Sequence, residues 1–322
     1  MHISVIMTCH NEERFVEQAI RSVVAQTARG DIDEILVVDD GSTDGSAALL
    51  KKLATEIPEL RIVTLSGVGL PAARNRAIRE TRGDLIAILD GDDFWAPDKL
   101  ARQCPAFDLD ERIGLVYSDY VDFTRADLSD AQPIAVRRFS ETTPDMLAEY
   151  FVHDGPIVPS AVVLRRAALD EVGLFDEDIR LGEDTEMFLR LAERWKFRHV
   201  PGALCFKRRH SSNLTRRLDT LLPVAARMTE RFVARNPRLA PLADRRMARR
   251  YARTGNDCAQ HGEKRKAITL LIKAIRLDPL FWRPYVYLVL ALVPRRLSGF
   301  LRLAAKAVFH FRRISSKPES AL

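Results

Sequence analysis

The sequence predicts an α/β fold in which a mostly parallel sheet is flanked by helices and is followed by a C-terminal all-helical region. The first 120 residues alternate short apolar runs with amphipathic segments, a pattern typical of strand–helix–strand units. After about residue 215 the strand pattern stops, and helical periodicity dominates to the end of the chain. We therefore expect two domains, residues 1–215 and residues 216–322.

Five short, largely apolar runs in the first domain are predicted to be strands. They cover residues 3–8, 34–39, 61–65, 85–89 and 113–118. Between the first two runs, apolar side chains recur at helical spacing over residues 15–24, which predicts an amphipathic helix. A polar stretch over residues 122–138 is expected to be a mobile loop. Ligands of open α/β sheets bind where the strands end, so functional residues are expected after these strands.

The charge of the chain is distributed unevenly. Residues 216–322 contain 24 Lys and Arg against 7 Asp and Glu, whereas residues 1–215 contain 26 against 37. Such asymmetry is typical of a basic region that meets a polyanion. In the last helical pattern, residues 299–314, basic side chains share one face opposite apolar ones. We therefore expect a peripheral contact with anionic membrane, and no nucleic acid partner.

The cellular location is predicted from what the sequence does not show. The longest apolar run, residues 285–293, is far shorter than the roughly 20 residues that a membrane-spanning helix needs. The first residues have no pattern of a secretion signal, and the four cysteines are too widely spaced for a zinc site or a disulfide framework. We expect a cytoplasmic protein that acts at the inner face of the cell membrane.

Two glycine-containing segments follow the second and third strands. The segment "VVDDGSTDGS" places Asp39 and Asp40 at the end of a strand, either as part of a turn that caps the next helix or to bind the base of a nucleotide. The segment "SGVGLPAARNRAI" contains G-x-G-x-x-A, but it follows the third strand rather than the first, so it is a weak indication of a dinucleotide site. No G-x-x-x-x-G-K-[ST] motif is present, which excludes a P-loop NTPase.

The segment "LIAILDGDDFW" leads from a buried strand directly into three carboxylates, Asp90, Asp92 and Asp93. One interpretation is a solvated turn before the next helix. The other interpretation is a metal site, because Asp90 and Asp92 flank a single glycine and can both turn toward one hard cation. A divalent cation held there can bridge the two phosphates of a nucleotide diphosphate.

Two further segments carry candidate functional groups. The segment "GLFDEDIRLGEDTEMFLRLAERW" places Glu183 and Asp184 at the start of a helix, where carboxylates also interact favourably with the helix dipole. Asp184 is therefore either a helix-stabilising residue or a general base. The segment "KRRHSSNLT" carries His210, which is either an ordinary structural histidine or a further metal ligand.

Taken in order and spacing, these segments resemble the family-2 glycosyltransferases with the GT-A fold. The resemblance covers about residues 1–215 and rests on six motifs: "SVIMTCHNEERFVEQAIRSVVAQT", "VVDDGSTDGS", "ARNRAI", "LDGDD", "GLFDED…GEDTEMFLRLA" and "RRHSSNLT". It implies a metal-dependent, inverting transfer of a sugar from a nucleotide-sugar, most simply a UDP-sugar, to an acceptor hydroxyl. The implied cofactor is Mn²⁺ or Mg²⁺, and the implied acceptor is a glycan or lipid-linked glycan in cell-surface polysaccharide biosynthesis.

The resemblance also implies a role for each site residue. The residues implied in nucleotide-sugar binding are Thr8, Asn11, Glu12, Asp39, Arg74, Asp90 and Glu183. The implied metal ligands are Asp90, Asp92 and His210, and the implied catalytic base is Asp184.

Two departures and two alternative functions stay open at this point. Cys9 and His10 differ from the family's usual residues, and Leu191 replaces the Gln of the Q-x-x-R-W motif of processive synthases. A nucleotidylyltransferase would need a Gly-rich, basic loop after the first strand, where this chain has the acidic "TCHNEER". The other alternative is a non-catalytic scaffold acting through the helical tail, of which residues 255–279 loosely resemble a tetratricopeptide unit.

Overall fold

The computed structural model describes residues 1–140, 142–153, 157–210 and 220–293. The chain forms two compact units, Met1–Arg216 and Arg217–Leu322. The first unit contains the whole β-sheet, and the described part of the second unit is helical. The basic helix that the sequence predicts over residues 299–314 lies outside the described residues.

A nine-stranded sheet forms the centre of the first unit. Its strands are β1 Ile3–Cys9, β2 Ile32–Asp40, β3 Leu60–Leu65, β4 Leu85–Asp90, β5 Phe94–Trp95, β6 Ile113–Phe123, β7 Gln132–Ile134, β8 Val162–Arg165 and β9 Lys196–Arg208. Across the sheet the order is β3-β2-β1-β4-β8-β6-β9-β5, and β7 pairs with β6. β1 to β4 all run parallel, as predicted.

The second half of the sheet is mixed rather than parallel. β8 lies between β4 and β6 and runs antiparallel to both, whereas β9 runs parallel to β6. The short strand β5 pairs antiparallel with β9, which brings the end of β9 next to the turn that follows β4. This return of β9 to the end of β4 assembles the candidate site from distant parts of the sequence.

Helices cover the sheet and build the second unit. They are α1 Val16–Val24, α2 Ser46–Glu56, α3 Leu70–Glu80, α4 Lys99–Gln103, α5 Thr143–His153, α6 Arg166–Val172, α7 Glu183–Ala192, α8 Leu221–Arg235, α9 Ala243–His261, α10 Lys264–Leu277 and α11 Arg283–Leu292. Consecutive side chains of β4 are buried from Leu85 to Leu89, so neither face of this strand meets solvent along these residues. β4 is thus a rigid support for the carboxylates at its end.

The polar stretch over residues 122–138 is not simply a loop. β6 extends through Asp122 and Phe123, and β7 pairs with it to form a hairpin. The prediction of a mobile loop was therefore wrong for the residues of these two strands. The low hydropathy of the stretch gave no indication of a strand. In the structure, Phe123 is buried and Asp122 accepts a hydrogen bond from Arg209.

In the second unit, α9 and α10 pack against each other as a helical hairpin. Gly262, at φ 87°, ends α9 in the left-handed conformation that glycine adopts without strain. The helices approach closely at Gly255, where an added Cβ would lie 2.8 Å from Leu271 Cγ. The likeness to a tetratricopeptide unit stays a prediction. No helix in the described part of the chain is both long enough and apolar enough to cross a membrane.

Candidate active site

The ends of three neighbouring strands bring the predicted site residues together. Thr8 near the end of β1 is in register with Asp90 at the end of β4, and Cys9 is in register with Asp39 of β2. Asp39 is only 1% exposed, and its Oδ1 accepts the backbone N–H of Ser42 at 3.1 Å. Asp39 therefore shapes the turn after β2, and its contact with a nucleoside stays a prediction.

Asn11 connects two of the loops that follow these strands. Its backbone is left-handed, with φ 59°, and its Oδ1 accepts the backbone N–H groups of Thr43 at 2.7 Å and Asp44 at 3.3 Å. In return, Ser42 Oγ accepts the N–H of Asn11 at 3.0 Å. The side chain thus holds the loop after β1 against the loop after β2, and a nucleoside contact by Asn11 stays a prediction.

Arg74 of α3 is the central cation of the site. It is 1% exposed, and its Nη2 donates to Asp90 Oδ1 at 2.6 Å while its Nη1 donates to Glu183 Oε1 at 2.8 Å. Burial alone would lower the pKa of Arg74, but the charges of Asp90 and Glu183 raise it above its usual value. Burial likewise opposes the ionised form of Asp90, but Arg74 and then Lys207 hold the pKa of Asp90 below its usual value.

These contacts show what Arg74 binds within the chain. The guanidinium is buried, and both of its Nη atoms donate to carboxylates of the chain itself. Arg74 therefore connects the end of β4 with the start of α7, and its contact with the donor stays a prediction. The sequence did not show this because residues 74 and 183 are 109 positions apart.

Arg74→Met is expected to lower the free energy of unfolding by about 3 kcal/mol, because it leaves two mostly buried carboxylates without their shared cation. Arg76→Met is the matched control on the same helix. Arg76 is 51% exposed and pairs with Glu80, which is 24% exposed, so its loss should cost about 1 kcal/mol or less. Urea unfolding of the two variants measures the difference, and equal losses would contradict the central role of Arg74.

Asp184 lies in the first turn of α7, beside this network. The helix begins after Gly182, which has φ 80°, and the half-buried Asp184 carboxylate accepts the N–H of Thr185 at 2.6 Å. Burial and then the charge of Asp184 raise the pKa of Glu183, although Arg74 opposes the shift. Asp184 also contributes to the raised pKa of Arg74. The predicted base and Asp90 therefore both interact with the charge of Arg74.

Asp92 and His210 form a close pair on the other side of the β4 turn. His210 Nε2 lies 2.8 Å from Asp92 Oδ2, and the side chains are 20% and 12% exposed. The imidazole also lies against the ring of Phe15, with 5.2 Å between the ring centroids. The sequence predicted that these two residues meet although they are 118 positions apart.

Hydrogen bonds of Arg208 connect the end of β9 with the turn after β4. Its Nε donates to the carbonyl of Asp92 at 3.0 Å, and its backbone N–H donates to Asp93 Oδ1 at 2.8 Å. The guanidinium carbon lies 4.6 Å from the ring centroids of both Phe15 and Phe123. Sequence reasoning missed this role of Arg208, which explains how His210, two residues later, reaches Asp92.

The Asp92 and His210 pair fits a divalent cation in part. A carboxylate oxygen and an imidazole nitrogen at this spacing are ligands that Mn²⁺ accepts, while Mg²⁺ favours oxygen ligands. Within the described residues, no group of three or more His, Cys, Asp and Glu side chains is arranged as a complete metal site. Asp90 gives one carboxylate oxygen to Arg74, so its direct ligation of a metal stays a prediction. The remaining ligands would have to be substrate oxygens or water.

Two further charged residues lie at the site: Asp93, which the sequence singled out without giving it a role, and Lys207, which sequence reasoning missed. Asp93 is 1% exposed, accepts the hydroxyl of Ser160 at 2.7 Å, and has its pKa raised by burial. Burial would lower the pKa of Lys207, but Asp93 and then Asp90 and Asp92 raise it. Lys207 therefore stays a cation facing the carboxylates. Its position in β9 gave no sequence signal of this, because the strand's return to β4 is a property of the folded sheet.

The carboxyl group of Glu12 is only partly satisfied. Its Oε2 is buried and finds no hydrogen-bond partner among the described residues, and an added Cβ at Gly91 would overlap that oxygen. The glycine between Asp90 and Asp92 therefore provides room for the carboxyl of Glu12. Burial and then the charges of Asp92 and Asp90 raise the pKa of Glu12 well above its usual value.

Glu12→Gln is expected to raise the free energy of unfolding above that of the wild type at about pH 8. This difference should become smaller as the pH falls toward 4. In the folded state Glu12 keeps its proton above the usual carboxyl pKa of about 4.3, whereas the unfolded chain loses it there. The wild type therefore loses stability as the pH rises above that value, and glutamine does not. Denaturant unfolding across this range tests the prediction. A pH-independent difference, or the same pattern for exposed Glu111→Gln, would contradict it.

Asp40 binds the backbone of the glycine motif after β3. Its Oδ1 accepts the N–H groups of Gly67 at 3.1 Å and Val68 at 2.8 Å, and its Oδ2 accepts the N–H of Gly69 at 2.7 Å. Both glycines have positive φ, at 80° and 97°, which lets these N–H groups converge. The loop that resembles a phosphate-binding motif thus binds a carboxylate of this chain.

Comparisons with known proteins agree with this architecture. The family model described as glycosyl transferase family 2 matches residues 4–173. An uncharacterized glycosyltransferase of Nostoc sp. is 37% identical over 124 residues, which are 38% of this chain and 38% of the relative. The chondroitin synthase of Escherichia coli is 26% identical over 208 residues, which are 64% of this chain and 28% of the relative. The match with each of these two relatives thus spans well under half of the relative's length.

Solved structures show the same fold. S. aureus TarS 1–349 in complex with UDP-GlcNAc superposes with a TM-score of 0.59 at 18% identity, covering 89% of this chain and 86% of that one. The mannosyltransferase PcManGT from Pyrobaculum calidifontis, in complex with GDP-Man and Mn²⁺, gives a TM-score of 0.58 at 17% identity, covering 96% and 80%. At these identities the likeness establishes the fold, which is the predicted GT-A type.

Proposed function

This chain belongs to glycosyl transferase family 2, and on that premise we propose that it transfers a sugar from a nucleotide-sugar to an acceptor hydroxyl with inversion at the anomeric carbon. One observation carries the proposal. Arg74 joins Asp90 to the start of α7, so Asp184 and the Asp92 and His210 pair lie around the same edge of the sheet. A base and a site for the diphosphate are the two parts that such a displacement requires.

The donor is proposed to bind along the ends of β1, β2 and β4. Thr8, Asn11, Glu12 and Asp39 would face the nucleoside, and Asp90 would lie near the ribose and the diphosphate. A UDP-sugar is the proposed donor, which the likeness to a TarS structure holding UDP-GlcNAc supports. The protonated Glu12 favoured by its raised pKa could donate a hydrogen bond, which a carboxylate cannot do.

The chain's own residues divide the proposed reaction between them. Asp92 and His210 would hold a divalent cation, Mn²⁺ or Mg²⁺, which when bound supplies positive charge to the departing diphosphate. Asp184 accepts the proton of the acceptor hydroxyl, whose oxygen attacks the anomeric carbon from the face opposite the diphosphate. Arg74 holds Glu183, and with it the first turn of α7, in a fixed position relative to Asp90.

The acceptor is proposed to be a growing glycan in polysaccharide biosynthesis. A chondroitin synthase and the succinoglycan biosynthesis protein ExoU of Rhizobium meliloti are among the relatives, and their names support a polysaccharide as the acceptor.

A ligand screen tests the proposal directly. Thermal unfolding is measured with UDP, GDP and their sugar derivatives, each with and without Mn²⁺, and release of the nucleotide from each sugar derivative is followed without acceptor. We expect one family of nucleotides to stabilise the protein only when the metal is present, and its sugar derivative to be hydrolysed slowly. Stabilisation by no nucleotide, together with no release, would contradict the proposed function.

A further inference from the structure

Large exposed apolar side chains are concentrated on one short stretch of the second unit. Of the nine that the structure exposes in the described residues, six lie between residues 272 and 292. They are Ile272, Leu280, Trp282, Tyr285, Val289 and Leu292. Leu280 is 94% exposed and Val289 is 58% exposed, so this concentration is a feature of the surface rather than partial burial.

Four of these residues form a continuous line, which we call the α11 stripe. Trp282, Tyr285, Val289 and Leu292 follow one another at intervals of three, four and three residues, so they share one face of the helix. The opposite side of α11 includes buried Leu290 and Ala291, and the helix packs against α9 and α10. The stripe is thus the outer face of a helix that is already held in the unit by its inner face.

The segment that carries the α11 stripe is basic in sequence, and a basic side chain lies at each end of the stripe. Residues 263–293 contain six Lys and Arg and two acidic residues, and the acidic Asp278 accepts a hydrogen bond from Arg249 at 3.4 Å. Lys264 lies at the C-terminal end of the stripe, with its Nζ donating to the carbonyl of Leu292 at 3.4 Å. Arg283 lies at the N-terminal end, with its guanidinium carbon 6.0 Å from the ring centroid of Trp282.

We propose that the α11 stripe docks on the surface of an anionic lipid bilayer. An apolar helix face with Trp and Tyr at one end and basic side chains around it matches the polarity of the headgroup boundary, where indole and phenol rings are favoured. Anionic headgroups attract the surrounding Lys and Arg, whereas a second copy of this surface would bring like charges together. The ten residues of α11 span about 15 Å, so the contact is peripheral rather than spanning.

The chain carries its own reporter for this contact. Of its three tryptophans, Trp95 is 3% exposed and Trp195 is 5% exposed, whereas Trp282 in the stripe is 39% exposed. A change in tryptophan emission on adding vesicles therefore reports Trp282. We expect a shift to shorter wavelength with vesicles of phosphatidylglycerol and phosphatidylcholine, weakened by salt, and little shift with phosphatidylcholine alone. Trp282→Phe should remove the shift while most of the protein still pellets with the vesicles.

Co-sedimentation of the full chain with the same vesicles tests the surface itself. The double variant Val289→Gln, Leu292→Gln should lower the partition coefficient about tenfold or more, because two aliphatic side chains no longer enter the lipid. Leu109→Gln, at a side chain that is 69% exposed in the first unit, is the control and should bind as wild type does. Thermal unfolding checks that the variants are folded.

Three outcomes would overturn the proposal. The first is equal binding of the wild type and the double variant to anionic vesicles, which would place any lipid contact elsewhere. The second is the absence of binding by the wild type at low salt. The third is a dimer of the wild type in sedimentation velocity that the double variant abolishes, since the stripe would then be an interface between two copies of this chain.

Discussion

Replacing Asp184 by Asn is expected to lower the turnover of the donor by about 100-fold or more while leaving donor affinity close to that of wild type. Asparagine has nearly the same shape as aspartate and can still accept the N–H of Thr185, so the first turn of α7 should keep its structure. What it loses is the ability to take up a proton. Initial rates of nucleotide release and calorimetric titration of the nucleotide measure the two quantities separately.

Asp170→Asn is the matched control for this experiment. Asp170 is an exposed residue of α6, and the same substitution there should change neither rate nor affinity. If Asp184→Asn keeps its turnover within a few-fold of wild type, Asp184 stabilises the start of the helix and is not the base. A loss of donor affinity with unchanged turnover at saturation would likewise move Asp184 from catalysis to binding.

Asp92→Ala is expected to weaken metal-dependent binding of the nucleotide by about 100-fold or more. Asp92 supplies the carboxylate of the pair with His210, and loss even of groups that only orient a metal ligand costs about 10- to 100-fold in metal affinity. The affinity measured with Mn²⁺ should fall to the affinity measured without it. Removal of the metal by a chelator should have the same effect on the wild type and little further effect on the variant.

Asp108→Ala, at an exposed aspartate outside the β4 turn, controls for the loss of one negative charge. His210→Ala should act in the same direction as Asp92→Ala but less strongly, by about 10-fold, with part of the activity retained. Unchanged nucleotide affinity in Asp92→Ala at the same metal concentration would exclude Asp92 as a ligand. It would then leave the pair with His210 as a structural contact between β4 and β9.

Much of the first domain could be predicted from the sequence because its signals are local. The five predicted strands all exist, and their ends differ from the prediction by two residues or fewer, except for β6, which continues to Phe123. Apolar runs of five or six residues and the helical spacing between them depend only on near neighbours in the chain. The parallel pairing of β1 to β4 follows from the helices that connect them.

The mixed half of the sheet could not be predicted in this way. β8 enters between β4 and β6 with only four residues, and β9 returns alongside β6 after a long separation. The positions of β8 and β9 in the sheet do not follow from the local sequence pattern. They depend on which strand edges are still unpaired after β1 to β4 have formed the parallel half. The hairpin of β6 and β7 was missed for a related reason, since polar residues that bind each other are indistinguishable from loop residues in the sequence.

The sequence by itself determined which chemical groups this protein presents and on which edge of the sheet they lie. Asp39 and Asp90 lie at the ends of β2 and β4, which both pair with β1, and Asp92 follows β4 directly, so their convergence follows from the geometry of parallel sheets. Only the tertiary structure decided what each group binds and in which protonation state it is held. Arg74 binds Asp90 and Glu183 of the chain itself, and Asp40 accepts the backbone N–H groups of the glycine-containing loop after β3. The physical reason is that burial and charge depend on neighbours in space, and Asp92 and His210, which lie 2.8 Å apart, are separated by 118 positions in the chain.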